Sequence, residues 1–151
     1  MEFRTKIGTC IIGSLTALGL SVSIAQADAV TDRQAAMKQV GDAMKAIAAI
    51  AKGEAAFDAA VVKTNAENMA KQFAVAKDLF PDGSETGEKP SRAKPEVWSD
   101  KDGFMKLLDD SIVGAKAVAA VTEEAALRPA LGALGNNSCK ACHEKFRKPK
   151  E

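Results

Sequence analysis

The sequence predicts an all-α domain, an antiparallel four-helix bundle, behind an N-terminal leader. Three observations carry the helical prediction. Apolar residues recur at three- and four-residue spacing through four successive segments. Alanine is abundant, Tyr is absent and β-branched runs are short. The segments are separated by stops of the Gly53 and Pro81-Asp82-Gly83 kind, which end helices.

The leader comes first. Arg4 and Lys6 precede an apolar run from Ile7 to Ile24, and Ala25-Gln26-Ala27 is a small-x-small cleavage triplet. This is the pattern of a secretory signal peptide, residues 1–27, cleaved after Ala27. An uncleaved membrane helix is the weaker alternative, because Gly8, Gly13, Ser14, Gly19, Ser21 and Ser23 dilute the run. No later stretch is apolar enough to span a bilayer. The mature chain is therefore expected to be 28–151, one domain of 151 − 27 = 124 residues. Removing Glu2, Arg4 and Lys6 leaves 21 − 2 = 19 basic and 20 − 1 = 19 acidic residues. That balance argues against a nucleic-acid partner, and any docking must rely on local patches.

The first helix is expected from about Val30 to Lys52, with Val30, Met37, Val40, Met44, Ile47 and Ala51 turned inward and Arg33 in the one polar slot of the stripe. Thr31 or Asp28 is the candidate cap and Gly53 the stop. The second helix is expected over Asp58 to Leu79, capped by Asp58, with the stripe Ala59, Val62, Ala66, Met69, Phe73, Ala76 and Phe80. A polar loop from Pro81 to about Pro95 then crosses between the halves of the domain; the alternative is a lid or partner-docking loop. A third helix starts near Pro95-Glu96-Val97-Trp98, with Ser99 or Asp100 capping its long part up to Val121, and turns Phe104, Leu108, Ile112, Ala115 and Ala119 inward. A fourth opens at Thr122-Glu123-Glu124, with Thr122 as cap and acids where they suit the helix dipole. It carries Leu127, Leu131 and Leu134, and it contains Pro129 in the first turn or at a kink. Gly132 and Gly135 would leave room beside a flat cofactor.

The chemistry lies at the end of the chain. Cys139-Lys140-Ala141-Cys142-His143 is Cys-x-x-Cys-His, the attachment signature of a c-type haem. On a helix, positions three and four apart share a face, so both thiols and His143 can address one ligand. Each thiol would form a thioether, and His143 would bind the iron axially. A redox pair or a partial zinc site is the rival reading. Zinc would need about four ligands, whereas the chain has one His, and its third Cys, Cys10, falls in the leader. No strand pattern precedes the motif, as a thioredoxin-like site would require. The basic tail Lys145, Arg147, Lys148 and Lys150 suits a helix C-terminus.

Taken together, several stretches resemble the class II cytochromes c, the family of cytochrome c′ and cytochrome c-556. They are Arg33-Gln34-Ala35-Ala36-Met37-Lys38, Ala51-Lys52-Gly53-Glu54 with Phe57-Asp58, Leu79-Phe80-Pro81, Lys94-Pro95-Glu96-Val97-Trp98, and Cys139 through Arg147. The resemblance covers nearly the whole mature chain. It implies one haem c, attached through Cys139 and Cys142, with His143 as proximal ligand. It implies Met37 as the distal iron ligand of low-spin, c-556-like members, while high-spin c′ members usually carry an apolar, non-ligating residue in that slot. A core Met is the alternative for Met37; Met44, Met69 and Met105 are read as core. Arg33 and Arg147 are implied to lie near the haem. Phe146 stands where many c′ members have Tyr, which leans away from c′.

The expected function is a periplasmic one-electron carrier, not an enzyme, with transient redox partner proteins. The alternative is a five-coordinate c′ that binds NO or CO. A peroxidase is disfavoured, because His143 is the one His and is already used. Relatives include both monomers and homodimers.

Overall fold

A computed structural model describes the backbone of residues 22–149 and the side chains from Ala29 to Pro149. The charged start and most of the apolar run of the leader lie outside the described residues. The elements are α1 (Val22–Ala51), α2 (Ala59–Ala76), a short α3 (Glu96–Ser99), α4 (Lys101–Ala119), α5 (Glu124–Leu134), a π-helical segment (Gly135–Lys140) and α6 (Ala141–Phe146). The last three run on without a break, so α1, α2, α4 and the composite C-terminal helix are the four long members of the bundle. No described helix is long and apolar enough to cross a membrane.

α1 begins earlier than its apolar stripe suggests. Nothing between Val22 and Val30 is Gly or Pro, so in the uncleaved chain the helix continues back through Thr31 and Asp28, and neither stands at the start of α1 there. Its buried side is Val30, Arg33, Ala36, Val40, Ala43, Ile47 and Ile50. The stripe is thus centred slightly to one side of the expected one, and Met37, Met44 and Ala51 are half-buried at its border. α1 ends as its glycine demands. Gly53 takes φ +78, and its N–H bonds the Ile50 carbonyl while the Glu54 N–H reaches Ala49. These two bonds form the double closure of a Schellman cap.

Asp58 caps α2 as expected, its carboxylate accepting from the Ala60 and Val61 N–H groups at 2.8 and 3.2 Å. Val62, Ala66, Met69, Phe73 and Ala76 fill the core. α2 lies between α1 and α4 and packs on both. Asp100 caps α4 through the Gly103 N–H at 3.2 Å. At the start of α5, Glu123 rather than Thr122 occupies the cap position, and it makes no side-chain cap bond. Thr122 is one residue too early, because α4 ends at Ala119 and the turn takes up the difference.

The first-turn placement of Pro129 is corrected. Pro129 sits inside α5, in its second turn, and the helix continues past it. Gly132 and Gly135 have no protein atom within 4 Å of a Cβ position. A close approach between helices instead uses Gly114 on α4, where a Cβ would come within 2.9 Å of the Leu134 side chain. It lets the C-terminal helix approach α4 closely.

Candidate haem site

At one end of the bundle a cavity of about 370 Å³ opens between α1 and α6. That is within the usual size range of small-molecule sites, roughly 300–1,000 Å³. Met37, Arg33 and Gln34 line it from α1, and Cys142, His143 and Phe146 from α6. Val97, Phe104 and Leu108 supply further apolar wall from α3 and α4, and Phe80 closes the side below α2. The aromatic wall is continuous: Phe80 meets Phe104 at 4.7 Å and Phe104 meets Phe146 at 5.2 Å, both edge-on.

Cys139 lies in the π-helical segment, and Cys142 and His143 in the first turn of α6. π-turns occur mostly as short insertions at functional sites. Here the wider turn joins α5 to α6 within one continuous helix that delivers the motif to the cavity. Cys139 and Cys142 are not bonded to each other in a disulfide. Burial raises the Cys139 thiol, and it pushes Cys142 up to about 11, with Cys139 adding to the rise and Arg147 opposing it. Before any attachment, thiols in this setting would be protonated at neutral pH and poor partners for a redox pair. Among the described residues no group of three or more His, Cys, Asp and Glu comes together. Burial, with Arg147 and Arg92 nearby, lowers His143 to about 4. Its ring is therefore neutral at pH 7 and able to donate a nitrogen lone pair to a metal.

Arg33 is the unusual group. Its residue is 5 % exposed, yet no carboxylate lies within ion-pairing distance among the described residues. One guanidinium nitrogen donates to the Ser84 carbonyl at 2.9 Å and to Ser91 Oγ at 2.8 Å, and the other to Ser84 Oγ at 3.3 Å. Phe80 and Trp98 flank the cation at 4.9 and 5.7 Å. Desolvation lowers its pKa and Glu85 raises it, but a guanidinium stays charged. A buried cation facing a cavity with only neutral partners is suited to an anionic edge of the cavity's occupant. Arg92 and Arg147 line the same cavity, so three cations stand along a mainly apolar site. A flat apolar ring with carboxylate substituents fits this lining.

The loop at 81–95 proves to be part of the site. Ser84, fully buried, grips Arg33, and the Pro90 carbonyl accepts from Gln34 at 2.9 Å. Its far end is tied to the C-terminus by the Ala93–Arg147 bridge, by Lys94 N–H to Phe146 O at 2.9 Å and by Lys148 N–H to Arg92 O at 2.8 Å. Sequence reading brings Met37, Arg33, Cys142, His143 and Arg147 to this place, and all five line the cavity; Cys139 is half-buried one turn before Cys142. It misses Arg92, Ser84 and Ser91. The one available signal is their placement in a loop long enough to return across the bundle.

Comparison with known proteins agrees with this geometry. The cytochrome C′ family matches residues 28–147. The chain is 38% identical over 146 residues to a cytochrome c′ of Rhodopseudomonas palustris, covering 96% of this chain and 99% of the relative. It is 36% identical over 149 residues to a cytochrome c-556 of Agrobacterium fabrum, covering 97% of each. The crystal structure of cytochrome c′ from Rhodopseudomonas palustris superposes with a TM-score of 0.76 at 38% identity, over 82% of this chain and 98% of that one. The structure of cytochrome c′ from Rubrivivax gelatinosus superposes with a TM-score of 0.73 at 30% identity, over 82% and 97%. With this bundle, this cavity and these relatives, the chain belongs to the class II cytochromes c, the electron-carrying haem proteins of the cytochrome c′ and c-556 family, and it carries covalently attached haem c.

Proposed function

We propose that the protein is a one-electron carrier of the c-556 kind. Haem c supplies a ferrous–ferric couple that moves one electron without breaking a bond. Cys139 and Cys142 would anchor it by thioethers, and His143 from α6 and Met37 from α1 would hold the iron. The observation that carries this reading is that Met37 and His143, from the two ends of the chain, line one cavity. A Met thioether paired with a His imidazole would raise the reduction potential and leave the iron no free position for a gas. The apolar wall of Phe80, Phe104, Leu108 and Phe146 excludes water, and Arg33 and Arg147 balance negative charge at the haem edge.

A second reading is favoured by the relatives named cytochrome c′: Met37 stands aside, and the iron is five-coordinate and open to CO or NO. Residues 1–27 act as a cleaved leader that sends the chain to the periplasm, a reading supported by the family match starting at residue 28.

The visible absorption spectrum of the purified holoprotein separates the two readings. Sharp low-spin bands in both oxidation states, unchanged by CO, are expected. Broad high-spin bands that respond to CO would remove the six-coordinate assignment.

A further inference from the structure

We propose that the cationic surface beside His143 docks the acidic face of a redox partner protein. The proposal rests on the electron-carrier reading above. A shallow groove next to the cavity is lined by Arg92, Lys94, Lys140, Arg147 and Lys148, with Glu144 as its one carboxylate. His143 belongs to the groove and to the cavity, so the cationic surface adjoins the redox site.

These cations are held in place without being neutralised. The Arg92 guanidinium donates to the Lys148 carbonyl at 3.1 and 2.7 Å, and Lys94 Nζ to the Glu144 carbonyl at 2.8 Å. Carbonyls fix geometry but leave the charge. The ion pair inside the groove, Lys140–Glu144 at 3.8 Å, has side chains 65% and 68% exposed, and such a pair is weakly coupled.

The turn after α1 and the start of α5 carry the exposed acids Glu54, Asp58, Glu123 and Glu124, with Lys52 3.8 Å from Glu54 and Arg128 donating to the Ala51 carbonyl at 3.2 and 2.8 Å, so that end holds both signs. A local cationic patch steers encounter and sets orientation even when net charge is near zero. The groove is shallow and its cations are spread over a loop and a helix end instead of converging on a point. That geometry matches another protein's surface carboxylates better than a small anion.

The test uses the holoprotein on gold electrodes coated with carboxylate-terminated or ammonium-terminated monolayers, with adsorption read by surface plasmon resonance and electron exchange by voltammetry. Adsorption is expected to be about tenfold stronger or more on the carboxylate surface at low ionic strength and to fade as salt is added. Lys148→Glu with Lys140→Glu should weaken it several-fold, Glu144→Gln should strengthen it, and Lys52→Glu at the far end should leave it unchanged. Haem content and the visible spectrum of each variant check that it matured normally. Equal adsorption on both surfaces, a preference for ammonium, or tighter binding to phosphatidylglycerol vesicles than to the carboxylate surface would overturn the proposal. Electron exchange that is equally fast on both surfaces keeps the carrier reading and removes the docking face. Selective adsorption without exchange does the reverse.

Discussion

The two walls of the cavity are made in opposite ways. The α6 wall is local: Cys139, Cys142 and His143 fall within five residues of one continuous helix. Any chain that turns helical there presents them together. The α1 wall is tertiary. Met37 and Arg33 lie about a hundred residues upstream, and Arg33 is held by Ser84 and Ser91 from yet another segment. The contrast separates two properties of a haem protein. Whether haem is attached depends on the local wall, whereas the iron's sixth position and the charge at the haem edge depend on packing at a distance.

Breaking the local wall should have the largest effect. Cys139→Ala with Cys142→Ala removes both thioethers, so haem should extract into acidified organic solvent, and a haem-stained denaturing gel should show no band. Haem retained on that gel would mean another attachment point. Breaking the distal wall at Met37→Leu should keep the haem but convert the visible spectrum from low-spin to high-spin and open the iron to CO. An unaltered spectrum would remove Met37 from the ligand set. Loosening that wall through Arg33→Leu leaves the buried Ser84 carbonyl without its donor, a loss of about 1–3 kcal/mol. Thermal unfolding should report it, and limited proteolysis should speed up within residues 81–95. Away from both walls, Asp58→Ala removes only a helix cap, costing about 1 kcal/mol, with the haem spectrum untouched. A spectral change there would mean that the far end of the bundle is coupled to the site.

The helices were legible because each buries one side. Period-3.6 spacing, the Asp58 and Asp100 caps and the Gly53 stop are local events with local signals. The start of α1 was less legible, since Ala-rich sequence without a breaker leaves no mark where a helix begins. The inward register of α1 was displaced toward Ala36, Ala43 and Ile50, because small alanines allow close approach to α2 and the larger Met37 and Met44 are turned to the border. Gly114 went unnoticed for a similar reason: its function is the approach of Leu134, a residue of another helix. Ser84 and Ser91 read as ordinary loop polars, and nothing in their neighbourhood names a buried arginine as their partner.

By itself the sequence determined the four helical stripes, the haem attachment signature and its place at the C-terminal end, for these follow from spacing along one helix or within a few residues. Only the tertiary structure decided that Met37 and His143 share a cavity, that the 81–95 loop clasps Arg33, and that five cations gather beside His143. The physical reason is the same in each case. These are encounters between segments far apart in the chain, and burial, hydrogen-bond satisfaction and charge placement act on neighbours in space.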